Sequence, residues 1–239
     1  MKISHNDPRI SWHGHVSLEQ TDTYTRPWRI PFPQKALFPD ALTLRAGTHS
    51  GVRMAFYSDT RNIAGSILPY EANQKLDLYV DGKFFGSEDL AEKASFAWRD
   101  LPVGEKLLEF WLPQFGDFAL TQLEADEGST IKLYQNTKPR WITYGSSITH
   151  CAGAESPSMT WPAIVAREQG FNLTCLGFGG QCHLDIQVAC MMRDMPADAL
   201  SICAGINIYG SDSLSARTFG PALLGFIQIL REKHPETPL

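Results

Sequence analysis

Near residue 138 the chain changes period. Upstream, apolar residues alternate singly along short runs bounded by turn residues; downstream, short apolar runs alternate with stretches of helical spacing. Side chains two residues apart share a face of a strand, and those three or four apart share a face of a helix. A chain with both periods in separate halves cannot be one uniform sheet or one helical bundle. The expected fold is α/β, with an antiparallel, jelly-roll-like β-sandwich over residues 1–137 and a three-layer α/β/α unit over 138–239.

In GVRMAFYSDT, Val52, Met54 and Phe56 fall on one face of an extended segment, and Arg53, Ala55 and Tyr57 on the other. KLDLYVDGKFFGS repeats the alternation with Leu76, Leu78 and Val80, then turns at Asp81-Gly82, a dipeptide suited to a tight hairpin. Two further strands flank Gly116-Asp117, and helical periodicity is almost absent before TKPR, the expected linker. After it, strands are expected over Trp141–Tyr144, Leu173–Leu176 and Ala199–Cys203. Helices are expected over Trp161–Gln169, Leu184–Met192 and Phe219–Lys233, the first entered at Pro162. Alternating strands and helices give a parallel sheet whose functional loops lie at the C-terminal ends of its strands.

Composition narrows the function. A chain of 239 residues that is 43% hydrophobic and 20% charged is an ordinary globular protein, and a formal net charge of -5 without a Lys/Arg cluster excludes a phosphate-backbone binder. Neither an apolar signal segment nor a membrane span is evident, so the expectation is a cytoplasmic protein. Five cysteines, all from Cys151 onward and odd in number, read as reduced thiols rather than a disulfide framework.

Three turns carry the chemistry. WITYGSSIT places Ser147 just after a strand, LGFGGQCHLD ends the next strand in glycines, and CAGINIYG puts Gly205 and Asn207 after the third. Each alone is equally a small-residue turn. Cys182 stands where a dinucleotide fingerprint needs its third glycine, and Thr149 where a G-x-S-x-G elbow needs its second, so neither motif is present.

Taken in order, the serine, glycine and asparagine turns resemble the SGNH, or GDSL, superfamily of esterases and lipases. The resemblance covers about residues 138–239 and includes a Trp161-Pro162 helix start. It implies a flavodoxin-like domain with Ser147 as nucleophile, and Gly180 and Asn207 joining the Ser147 N–H as oxyanion donors. Ser146 and Ile208 stand where the family often has aspartates, which bears on substrate preference more than on reaction class. A β-sandwich before such a domain is similar to the layout of carbohydrate esterases and of acyltransferases that act on natural products.

The resemblance also implies a late Asp-x-x-His that supplies the base, and none follows Asn207; His234 has Arg231 three residues before it. The expectation is an incomplete catalytic domain with weak or no turnover. An incomplete domain would also leave an exposed edge on the Ala199–Cys203 strand and a bare helix face around Leu223, Phe226 and Leu230. His150 is the candidate substitute base, and a zinc site from His150, Cys151, Cys182 and His183 is a minor alternative. The function expected is a serine ester hydrolase for a small ester, with an acylated carbohydrate among the candidates, needing no cofactor, metal, nucleic acid or membrane. The alternatives are an acyltransferase of the same superfamily and a non-catalytic binding protein using Trp12, Trp28, Trp98 and Trp111. Oligomeric state is left open by the sequence.

Overall fold

A computed structural model describes residues 1–69 and 75–239. The first half is a sandwich of two antiparallel sheets. One sheet runs Ser17–Gln20, Thr25–Trp28, Leu120–Ala125, Ile63–Ile67, Ser95–Trp98, with Lys2–Ser4 also paired to Leu120–Ala125. The other runs Ile131–Leu133, Arg53–Ser58, Lys106–Trp111, Lys75–Val80, Lys83–Asp89, with Ser11–His13 also on the Arg53–Ser58 edge. Asp81 and Gly82, at φ 48° and 75°, form the expected hairpin turn. The strands flanking Gly116-Asp117 lie in different sheets, so this connection crosses the sandwich.

Alternation explains the core. Val52, Met54, Phe56, Leu76, Leu78 and Val80 point inward against Ile63, Phe96, Leu120 and Leu123 of the facing sheet. The opposite face of the second sheet is covered in part as well. Arg53, Asp77 and Trp111 are buried there, because the α/β half packs over it.

That half is built on three parallel strands, Asn172–Gly177, Arg140–Gly145 and Ala199–Cys203 in spatial order. Its helices, with one from the first half, are α1 (Asp40–Ala46), α2 (Ser147–His150), α3 (Trp161–Gln169), α4 (Ile186–Asp194), α5 (Ile206–Ser211) and α6 (Ala216–Arg231). Trp141, Leu173 and Cys175 face α3 and the sandwich; Ile142, Tyr144, Leu176 and Leu200 face α4 and α6. This is the three-layer arrangement the periodicity predicts.

Several expectations need correction. The first half contains helix: a 3-10 segment, Phe32–Leu37, and α1 pack with Trp28 and Ile30 into the core of the α/β half. The helix face around Leu223 is not bare. Phe226 and Leu230 are buried, Phe226 stacking on Tyr144 at 5.2 Å, and Leu223 packs against the same cluster. Trp28, Trp98 and Trp111 are buried and Trp12 is partly so, so these four tryptophans offer little surface for a binding role. Leu200 N–H, on the edge strand, donates to Pro238 C=O at 2.8 Å, so the chain's last residues cover part of that edge.

Candidate active site

The three parallel strands end level. Gly145 on the central strand is in register with Gly177 on one side and Cys203 on the other. The segments leaving the strand ends therefore share one rim: α2 with Ser147, the turn Phe178–Gln181, and α5 with Asn207.

Ser147 opens α2 directly after the strand and is exposed. The chain can turn this sharply because Gly145 and Gly177 lack side chains. A Cβ on Gly177 would lie 2.2 Å from His150 N, and one on Gly145 would lie 2.1 Å from Thr149 Oγ1. Ser146, at the position where the family often has aspartate, caps the helix: its Oγ accepts from Ile148 N–H at 3.3 Å. As the first residue of α2, Ser147 has no intrahelical partner for its own N–H.

In the neighbouring turn, Gln181 N–H donates to Phe178 C=O at 2.9 Å, and Gly180 at φ 76° occupies the third position. Gly179 is not among the residues of positive φ, so this is a type II turn, in which only the third residue needs a glycine-like conformation. A Cβ placed on Gly179 would lie 3.6 Å from Ser147 Cβ, which puts turn and serine side by side. Asn207 is fixed by Cys182 N–H, which donates to its Oδ1 at 3.0 Å. Because that partner can only donate, the amide's oxygen is committed there and Nδ2 is directed elsewhere. The rim thus carries a hydroxyl, backbone N–H groups and a side-chain amide N–H, with no carboxylate among them.

His150 is not where a base for Ser147 would stand. It is buried; Gly179 N–H donates to its Nδ1 at 3.3 Å, and its Nε2 donates to Gln114 C=O at 2.7 Å. Burial, then the charges of Arg29 and Arg45, lower its pKa to about 3, so it is neutral. His183 lies between Ser213 Oγ and Gly180 C=O, and His234 against Met192 C=O. Among the described residues no three His, Cys, Asp or Glu side chains converge as a metal site.

Sequence reasoning missed the residues behind the rim. Arg29, fully buried, donates five hydrogen bonds: to Cys175 C=O and Gly177 C=O, to Thr48 C=O and Oγ1, and to Arg45 C=O. Arg45 Nε donates to Gly179 C=O at 3.1 Å. Phe115 sits over His150 at 5.8 Å and beside the Arg45 guanidinium at 5.3 Å. It is exposed and lines two clefts, one of 280 Å³ with Ala152, Ala154 and Glu155, the other of 210 Å³ with Arg26 and Asp117. No local pattern marks these contacts, although Asp40 early in α1 and Gly47 after it are ordinary helix boundary signals.

Residues 137–239 match the GDSL-like lipase/acylhydrolase family, and residues 10–121 match a family described as the SsfX3 N-terminal domain. No curated protein matches the chain. Among solved structures, a salicylyl-acyltransferase, SsfX3, from a tetracycline biosynthetic pathway is 35% identical, with TM-score 0.93 over 100% of this chain and 71% of that one. A GDSL-like lipase from Bacteroides ovatus is 22% identical, with TM-score 0.81 over 100% of this chain and 72% of that one. A family two carbohydrate esterase from Clostridium thermocellum, in complex with cellohexaose, is 12% identical, with TM-score 0.68 over 95% and 75%. The last two show likeness of fold alone.

Proposed function

The chain belongs to the GDSL-like lipase/acylhydrolase family, also called SGNH, and from this we propose that it acts on ester bonds by acyl transfer through Ser147. The observation that carries the reading is the level ending of three strands, which brings Ser147, the Gly179-Gly180 turn and Asn207 to one rim. Ser147 Oγ attacks the ester carbonyl carbon. The carbonyl oxygen, now anionic, is held by the N–H groups of Ser147 and Gly180 and by Asn207 Nδ2. The tetrahedral species collapses to an acyl-serine as the alcohol leaves with a proton, and water then releases the acid and restores the hydroxyl. Each such donor is worth about 2.7–4 kcal/mol in the transition state, because it acts on charge absent from the ground state.

The reaction needs a proton acceptor, and none of His150, His183 and His234 is free to serve. No Asp-x-x-His follows Asn207 in these 239 residues, so turnover by this chain alone is expected to be slow. The substrate class we propose is a small ester, with an acylated carbohydrate among the candidates; it rests on the family and not on the clefts beside Phe115, which Ser147, Gly180 and Asn207 do not line. A second reading, transfer of the acyl group to an alcohol instead of water, is favoured by the 35% identity to an acyltransferase.

The test is labelling of the chain with a fluorophosphonate, together with hydrolysis of p-nitrophenyl acetate, for the natural sequence and for Ser147→Ala. Label on Ser147 and its loss in the variant support the reading. Hydrolysis that is faster than the uncatalysed rate and equal in both proteins, or label on another residue, sinks it. Added glycerol that diverts the acetyl group from water selects the transferase reading.

A further inference from the structure

The turn Phe178–Gln181 has a weakness that the rest of the rim lacks. Its two central residues, Gly179 and Gly180, are both glycine. Type I and type II turns differ by a half-rotation of the peptide between those residues, and glycines resist that rotation least. In one orientation the Gly180 N–H faces the rim; in the other the Gly179 carbonyl would, and a carbonyl oxygen repels an anion. With glycine at both central positions the backbone restricts the choice little, so contacts from outside the turn can decide it.

Both polar groups of Gly179 are held from outside. Its N–H donates to His150 Nδ1 at 3.3 Å, and its C=O accepts from Arg45 Nε at 3.1 Å. In a planar trans peptide the C=O of one residue and the N–H of the next point in opposite directions. Arg45 therefore fixes the direction of the Gly180 N–H as well. We propose that Arg45 is a positioning residue for the oxyanion site: by donating to the Gly179 carbonyl it keeps the Gly180 N–H turned to the opposite side, towards the reacting carbonyl. This rests on the proposal that the chain acts by acyl transfer through Ser147.

Three features support the assignment. A cationic donor on the carbonyl polarises the peptide and strengthens the N–H at its other end. Arg45 is itself held, its guanidinium beside the Phe115 ring and its carbonyl, at the C-terminal end of α1, accepting from Arg29 Nη2. Finally, Arg45 comes from a segment 134 residues away from the glycine it grips, so the first half of the chain contributes to the rim that the second half carries.

The experiment compares the full chain with Arg45→Met and Arg45→Lys. It uses three readouts: the affinity of phenylboronic acid, which forms a tetrahedral adduct on an active serine; kcat and KM for p-nitrophenyl acetate; and the turn type in crystals of Arg45→Met. Arg45→Met should lower kcat by about 100-fold, the scale of losing one oxyanion donor, with KM within threefold. Phenylboronic acid should weaken by a similar factor, and Arg45→Lys should recover at least about tenfold of the loss. A variant that keeps the type II turn, with kcat and boronate affinity within twofold, overturns the assignment. Turnover of the natural chain is expected to be slow for want of a base, so a missing phenylboronate adduct, and not a low rate, is what counts against the acyl-transfer reading. The Arg45→Met crystals then decide the inference separately: a rotated Gly179–Gly180 peptide supports the clamp, and an unchanged turn rejects it.

Discussion

Two of the contacts between the first half of the chain and the second are built from opposite materials. On the outer face of the sandwich, Tyr79 and Trp111 pack on Trp141, Ala163, Ala166 and Leu173, with Asp77 accepting from Ser156 Oγ at 2.6 Å and Ser158 N–H at 3.0 Å. At the strand ends, Arg29 and Arg45 work almost wholly on backbone carbonyls. The aromatic contact buries area and fixes how the halves sit. The arginine contact fixes the backbone from which Ser147 and its neighbours project. Among the described residues no carboxylate pairs with Arg29, although burial lowers its pKa only to about 10 and it stays charged at neutral pH. Its partners are instead the outward carbonyls of Cys175 and Gly177, which an edge strand of a parallel sheet leaves unpaired.

The contrast breaks most easily at Arg29. Arg29→Met removes the donors but not the buried carbonyls they satisfy, and loss of a buried charged partner typically costs about 3–5 kcal/mol. Urea unfolding should show a loss of that size, with Arg29→Lys recovering only part, since a lysine has no planar fork. A loss under about 1 kcal/mol would mean the arginine contact is no more demanding than a solvent-exposed hydrogen bond and would erase the contrast. At the other contact, Asp77→Ala leaves one hydroxyl and one N–H without an acceptor and should cost about 2 kcal/mol. Phenylboronic acid affinity should stay within twofold of the natural chain. If it falls together with stability, the two contacts are not separate in function.

The sequence exposed one side of this comparison and hid the other. Helix α3 and the Ala199–Cys203 strand have the bounds expected from pattern alone, because their period is local and Pro162 and Gly170 mark the helix ends. Gly-Gly and Asn207 stand where motif order placed them, at strand ends whose register follows from the parallel sheet. Arg29 and Arg45 were invisible for a physical reason. A guanidinium donating to main-chain carbonyls more than a hundred residues away imposes no pattern on its neighbours or on its partners. His150 misled in the reverse way: three residues from a serine it looks like a base, and only burial, with both ring nitrogens engaged, excludes it. The helix face expected to be bare is covered because α4 and Tyr144 reach Phe226 without any further strand.

His150 also offers the finest probe of the contrast, because its state should depend on pH in a way the aromatic contact does not. Its pKa is lowered to about 3, first by burial and then by Arg29 and Arg45, against about 6.5 in an unfolded chain. The unfolded state therefore binds this proton first. The contribution to stability is complete above about pH 6.5 and is lost as pH falls towards 3. Between pH 7 and 5.5 the loss should be about 1 kcal/mol, given about 1.4 kcal/mol per pH unit for one proton. His150→Gln keeps an acceptor and a donor without the titration, so the difference between natural and variant stability should shrink by that amount over the range. Other histidines, such as His49, titrate in both proteins and cancel. Parallel curves would mean that His150 takes up its proton in the fold as readily as in the unfolded chain. A second proton on the ring would face its Nδ1–H against the Gly179 N–H, and His150 could then no longer hold the turn as an acceptor.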